Sequence, residues 1–225
     1  MARFDRLTVL NTVLADGMVP LFYHSKLDVA QQVAGALAGG GGHVLEFTNR
    51  GDFAIEVFGP LVKHCAAAYP DLIIGVGSVE DAPTAALFIA HGANFVVGPT
   101  FSEDVARLCN RRKIAYMPGC GTLNEIAHAE EWGVEIVKAF PGTAVGGPGF
   151  IKDVSGPRPW TRIMPTGGVT PEEDNLRAWF KAGAACVGMG SQMVRKDWVQ
   201  AGDFAAIEDK VKAALALIRQ IRSEK

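Results

Sequence analysis

The sequence predicts an α/β protein of the (β/α)8 TIM-barrel class, and three observations carry that prediction. Short apolar runs alternate with amphipathic helical patterns about eight times along the chain. The length of 225 residues lies in the range that eight such units need. Glycine-rich and Pro-Gly turns recur directly after the strand-like runs, so that in a barrel they all fall on one rim. A doubly wound open sheet is the alternative, but the first βα unit lacks a dinucleotide fingerprint. Nothing in the composition marks a linker, so residues 1–225 are expected to form one barrel domain with an N-terminal and a C-terminal helix.

The expected strands are Met18–Phe22, Val44–Thr48, Leu72–Val76, Asn94–Val97, Ile114–Met117, Glu135–Ala139, Arg162–Pro165 and Ala185–Met189. Between them, apolar residues at helical spacing predict helices over Leu27–Ala38, Phe53–Ala68, Ala82–His91, Glu103–Arg111, Asn124–Trp132 and Pro171–Ala182. A last helix follows at about Phe204–Arg222. Thr170-Pro171-Glu172-Glu173 offers an N-cap, a proline at the first helical position and acids in the first turn. Gly92 and Gly183 are placed to end their helices in the left-handed conformation. The Gly39–Gly42 run falls on the opposite rim and reads as a helix exit.

Apolar residues make up 48% and charged residues 20% of the chain, with a net charge of −2, so no electrostatic case exists for nucleic acid or an anionic membrane. Met1 to Leu14 carries Arg3, Asp5 and Arg6, which is neither a signal peptide nor an anchor, and no run approaches the ~18 apolar residues of a membrane span. A cytoplasmic location is expected. Cys65, Cys109, Cys120 and Cys186 show no metal-ligand or redox spacing and read as small buried hydrophobes, although Cys120, in a Pro-Gly-Cys-Gly turn, is a candidate for exposure near a site. His24, His43, His64, His91 and His128 show no ligand spacing either. Of these His24, at a strand exit, is the one candidate for the pocket, and no metal is expected.

Lys138 stands near the end of the apolar run that precedes Pro141-Gly142. A lysine inside a buried strand is costly in its charged form, which lowers its pKa and makes it a candidate amine nucleophile. The alternative is a strand-end lysine that snorkels to solvent. Alternate residues of a strand share a face, so Val44, Glu46, Thr48 and Arg50 line up if the extended conformation persists to Arg50. Glu46 then faces the barrel interior and Arg50 its upper rim. A buried carboxylate near a buried lysine is weak evidence for stability, which favours a catalytic reading over a structural ion pair. The turns at Gly167, Gly168, Gly190 and Ser191 supply backbone N–H groups of the kind that cradle an anion, in the two loops that barrels favour for phosphate. Two ligand-free turns are the bland alternative.

Together Glu46–Arg50, Gly75–Ser78, Tyr116–Gly119, Lys138–Gly142, Pro165–Val169 and Gly188–Ser191 resemble, in order and over nearly the whole chain, the 2-keto-3-deoxy-6-phosphogluconate / 4-hydroxy-2-oxoglutarate aldolases. The resemblance implies a class I aldolase on a (β/α)8 barrel, a homotrimer needing no metal or other cofactor, that cleaves a 2-keto acid to pyruvate and an aldehyde. By motif position it implies that Lys138 forms the Schiff base, Glu46 is the general acid/base and Arg50 binds the pyruvyl carboxylate. Ser78 stands where the family usually has threonine and keeps the hydroxyl. Gly167, Gly168, Gly190 and Ser191 match the phosphate positions, and Pro99 and Phe140 match pocket-lining ones.

The chain departs from the family pattern at Leu21–His24, where an arginine is often found, and at Gly119–Leu123, where threonine followed by proline is common. These changes bear on which aldehyde half is taken. Two other readings stay open from sequence: a phosphate-binding barrel epimerase or isomerase with Glu46 as base and Lys138 as electrostatic stabiliser, and a non-catalytic sugar-phosphate-binding protein. Lys63, Lys113, Lys152 and Lys181 read as solvent-facing and serve as comparison lysines.

Overall fold

A computed structural model describes residues 2–224. The chain begins with α1 (Arg6–Asp16), capped by Asp5, whose carboxylate accepts from the backbone N–H groups of Leu7 and Thr8, and ended by Gly17 in the left-handed conformation. The βα units follow in order: β1 (Met18–Phe22), α2 (Leu27–Gly39), β2 (Val44–Thr48), α3 (Ala54–Ala68), β3 (Ile73–Gly77), α4 (Ala82–Ala90), β4 (Phe95–Val97) and α5 (Glu103–Arg112). The second half holds β5 (Ala115–Met117), β6 (Gly119–Cys120), α6 (Leu123–Glu131), β7 (Val137–Ala139), α7 (Gly147–Ser155), β8 (Ile163–Pro165) and α8 (Glu173–Lys181). It ends with β9 (Val187–Met189), α9 (Lys196–Ala201) and α10 (Phe204–Ser223).

All ladders are parallel, and the expected strands appear within a few residues of their predicted bounds. The sheet curls, but its hydrogen-bonded ladder is not the uninterrupted eight-stranded ring expected from sequence. It divides into a six-stranded sheet, β5-β4-β3-β2-β1-β9, and a three-stranded sheet, β6-β7-β8. Pro118 is the physical cause of one break: it has no N–H to give, so β5, the fifth expected strand, stops at Met117 and a further short strand, β6, follows the proline. The chain stays extended across it, with Gly119 N–H donating to Gly98 O at 3.1 Å and Pro118 O accepting from Lys138 N–H at 2.8 Å. At the other junction Thr166 bridges Gly188, and Ala185 N–H donates to Ile163 O at 2.9 Å.

The period-2 alternation sorts strand residues into two cores. Leu45 and Phe47 point outward beneath the helices, where Phe22, Phe47, Phe58 and Phe88 form a chain of ring contacts at 5.7, 5.9 and 5.1 Å. Val44, Ile73, Phe95, Met117, Ile136 and Met164 point to the concave side, where Val9, Leu10 and Val13 of α1 pack against them from the N-terminal end of the strands. This apolar layer fills the lower part of the concave side and leaves the upper part, at the C-terminal ends of the strands, for polar side chains.

Three local features differ from the sequence expectation. The Thr170 cap is displaced: α8 starts at Glu173 with Glu172 as cap, and Thr170 N–H instead donates to Asn175 Oδ1 at 2.9 Å. Helix α7 was not expected, because its start, Gly146-Gly147-Pro148, carries two positive-φ glycines that read as loop. The short α9 was not expected either. Gly92 and Gly183 do follow the ends of α4 and α8 with φ of +101° and +110°. Among the described residues no helix is long and apolar enough to cross a membrane.

Candidate active site

The registers β1–β2, β2–β3, β6–β7 and β7–β8 set Leu21 beside Glu46, Glu46 beside Gly75, Gly119 beside Lys138 and Lys138 beside Met164. Glu46 and Lys138 therefore both rise from the concave face of the sheet. Glu46 is 2% exposed and Lys138 4% exposed. Space for the carboxylate comes from β3: a Cβ on Gly77 would lie within 1.7 Å of Glu46 Oε1, so glycine there is a steric requirement. Oε2 of Glu46 has no hydrogen-bond partner among the described residues. A buried carboxylate with an unpartnered oxygen is costly, and costly polar groups concentrate where chemistry needs them.

Burial raises the Glu46 carboxyl above the ordinary carboxylate range, against Lys138 and then Arg50, whose charges pull it down. Burial likewise lowers the Lys138 ammonium below the ordinary lysine range; Glu46 opposes this and Arg50 reinforces it. Lys138 Nζ lies 4.5 Å from the ring centroid of Phe140, so the same half-buried ring that walls the site also contacts the amine. The snorkelling alternative for Lys138 does not hold, whereas the comparison lysines Lys63, Lys113, Lys152 and Lys181 are all exposed.

Arg50 reaches the site by a different route from the one expected. The extended conformation stops at Thr48; Asn49 N–H donates to Gly77 O at 2.8 Å and Arg50 N–H turns back to Thr48 O at 2.9 Å. The guanidinium then stands exposed at the rim, its Nε donating to Ser78 Oγ at 3.2 Å. Ser78 has φ of +59°, a left-handed conformation that turns the chain sharply out of β3. Next to Arg50, Gly51 accommodates Tyr23, whose hydroxyl lies 2.2 Å from where a Gly51 Cβ would stand. Tyr23 thus fills the end of β1, with its ring 5.7 Å from that of Phe47.

At the rim beyond β8, Gly167 and Gly168 have φ of +92° and +80°. Their carbonyls accept from Thr143 N–H at 3.2 Å and from Asn175 Nδ2 at 3.1 Å. Because a trans peptide directs N–H opposite to C=O, the N–H groups of Gly168 and Val169 face away from those partners. Gly190 lies beside Leu21, and Ser191 is exposed in the next turn. Pro99 is half-buried, its carbonyl packed against Gly119 where any side chain would collide with it.

One buried hydroxyl on this face escaped sequence reasoning. Thr166 is 7% exposed with Oγ1 unpartnered among the described residues, whereas Thr48, read from sequence as sharing the face of Glu46, is buried and donates to Phe22 O at 3.3 Å. The signal was available: the alternation that places Met164 inside places Thr166 there too. Cys120, by contrast, is not exposed. It is 1% exposed, and burial, with Glu125 and Glu130 adding to it, pushes its thiol up to about 12, which leaves it inert. His24 turns into its own loop, where Nδ1 accepts from Lys26 N–H at 3.1 Å. Among the described residues no three His, Cys, Asp or Glu side chains come together as a metal site.

Comparison with known proteins finds similarity to aldolases. A 2-dehydro-3-deoxy-phosphogluconate aldolase from Pseudoalteromonas atlantica is 35% identical over 199 residues, 88% of this chain and 90% of that protein. The KHG/KDPG aldolase of Escherichia coli K12 is 30% identical over 210 residues, covering 92% of this chain and 95% of that one. A crystal structure of a KDPG aldolase from Legionella pneumophila, with pyruvate captured at low pH as a covalent carbinolamine intermediate, matches with a TM-score of 0.82 and 28% identity, covering 90% of this chain and 96% of that one. The family model for KDPG and KHG aldolases matches residues 10–210, and with these relatives it establishes that the chain belongs to the KDPG and KHG aldolase family.

Proposed function

We propose that the protein is a class I aldolase, a lyase that cleaves or forms a 2-keto-3-deoxy (phospho)sugar acid or 4-hydroxy-2-oxo acid, with pyruvate and an aldehyde as the other side of the equilibrium. One observation carries the reading: a buried amine and a buried carboxylate with an unpartnered oxygen share the concave face of the sheet above an apolar floor. The aldolases among the relatives, and the carbinolamine captured in one of them, support it.

Neutral Lys138 attacks the C2 ketone of the substrate to give a carbinolamine, which loses water to a protonated imine. Glu46 supplies the proton that lets hydroxide leave as water. It then takes the C4 hydroxyl proton, directly or through water, as the C3–C4 bond breaks and its electron pair moves into the imine as an enamine. The aldehyde departs, C3 is reprotonated, and hydrolysis of the imine releases pyruvate. Arg50 and Ser78 hold the substrate carboxylate, so that the ketone meets the amine in one orientation. Phe140 and Pro99 wall the pocket, and Gly167, Gly168, Gly190 and Ser191 hold a distal phosphate with backbone N–H groups and one hydroxyl.

The wider setting belongs to the same reading. The two sheets form one closed (β/α)8 barrel, supported by the extended passage across Pro118 and the Thr166–Gly188 bridge, within a single domain spanning 1–225. The protein is cytoplasmic and assembles as a homotrimer, an expectation that rests on the family likeness; a sedimentation-equilibrium mass of three chains is the expected result, and a monomer mass at assay concentration overturns it.

The test of the function is a panel of phosphorylated and unphosphorylated 2-keto-3-deoxy acids assayed for pyruvate release, and no release from any of them rejects it. Within that assay Arg50→Lys raises KM for the 2-keto acid about tenfold, because a point charge replaces the planar fork that meets a carboxylate with two bonds. Unchanged KM in Arg50→Lys removes Arg50 from carboxylate binding.

A further inference from the structure

The loop after β7, which follows the lysine strand, is joined to the turn after β8 by two backbone bonds: Gly142 N–H donates to Thr166 O at 2.8 Å and Thr143 N–H to Gly167 O at 3.2 Å. These bonds lay the Thr143 side chain across Gly168. A Cβ on Gly168 would lie 2.1 Å from Thr143 Cγ2 and 2.8 Å from Thr143 Oγ1. Gly168 therefore lacks a side chain for a reason separate from ligand approach: Thr143 occupies the place. Thr143 is exposed, and among the described residues its hydroxyl has no hydrogen-bond partner. A side chain whose main chain is held by these bonds, with a free hydroxyl over a positive-φ glycine turn, adds a donor to the groups that turn already presents.

We propose that Thr143 is a specificity-determining residue whose hydroxyl donates to the terminal phosphate of a phosphorylated 2-keto-3-deoxy acid, alongside the N–H groups of Gly168 and Val169. The inference rests on the reading of that turn as the phosphate cradle. It predicts that Thr143 acts on recognition of the distal end and leaves the pyruvyl end untouched, because the residue hangs over the turn after β8 and the amine sits deeper on β7.

The experiment compares 2-keto-3-deoxy-6-phosphogluconate with 2-keto-3-deoxygluconate on the wild type and on Thr143→Val, Thr143→Ala and Thr143→Ser. The expected result is a KM for the phosphorylated acid about tenfold higher in the valine and alanine variants, as befits loss of a hydrogen bond to a charged group, and a KM for the unphosphorylated acid that does not move. Thr143→Ser stays within about twofold of wild type because it keeps the hydroxyl. Reductive trapping of pyruvate on Lys138 proceeds at the wild-type rate in every variant, which separates a recognition effect from a folding defect. Equal shifts for the two acids, no shift, or a serine variant as poor as valine overturns the role of Thr143. A wild-type enzyme that does not distinguish the two acids overturns the cradle itself.

Discussion

Lys138→Ala abolishes the covalent adduct that borohydride fixes between wild-type protein and pyruvate, and it lowers aldol cleavage by at least about 10⁴-fold, the order of loss seen when a catalytic nucleophile is removed. Mass spectrometry of the wild-type digest places one reduced pyruvyl group on the peptide that contains Lys138 and none on those with Lys63, Lys113, Lys152 or Lys181. The physical basis is the proton. An exposed lysine holds its proton tightly at neutral pH, whereas burial lowers the Lys138 ammonium and releases the amine needed for attack. On this basis trapping weakens as pH falls through the lowered value of Lys138, and it persists well below the pH at which a surface amine stops reacting. Label on another lysine removes Lys138 from the chemistry. Turnover without any adduct favours the epimerase-like alternative, with Lys138 acting only through its charge.

Much of this site was legible because strands alternate. Once Val44–Thr48 was read as a strand packed outward through Leu45 and Phe47, Glu46 had to face inward; Lys138 was singled out by its apolar run alone, and it is the structure that sets it inward between outward-facing Val137 and Ala139. Arg50 shows where the rule ends. Its place at the rim was right, but the chain leaves the strand after Thr48, and a turn closed by Arg50 N–H on Thr48 O delivers the side chain. That turn depends on Gly51 making room for Tyr23, a contact between two strand ends that no local pattern encodes. Helix α7 was hidden for the opposite reason: its glycine and proline start is poor in helix signal, and only tertiary contacts of Ile151 and Val154 with the core justify it. The division of the ladder at Pro118 follows from one missing N–H, which periodicity does not register.

Glu46→Gln makes the protein slower and more stable, and the two effects share one cause. Burial raises the Glu46 carboxyl above the ordinary carboxylate range, which favours its protonated form as a proton donor, and an amide of the same size neither gives nor takes a proton. Cleavage therefore falls by about 10²–10⁴-fold, and the pyruvate adduct still forms on Lys138 but slowly, because carbinolamine dehydration has lost its proton relay. For stability, the carboxyl is neutral in folded and unfolded chains alike at about pH 4 and below, where Gln gains little. As pH rises the unfolded chain ionises first, and the wild type loses stability until the pH passes the raised folded value; Gln remains neutral throughout and does not share the loss. The same reasoning applies to Lys138 with the sign of charge reversed: its lowered folded value costs stability as pH falls from the alkaline range, and Lys138→Met removes that cost. The double variant Glu46→Gln/Lys138→Met is expected to exceed wild type by about 1–4 kcal/mol at pH 7 in urea unfolding. If it is less stable than wild type, the two charges are a structural pair that holds the sheet together, and the upper concave face was not shaped at the expense of stability for chemistry.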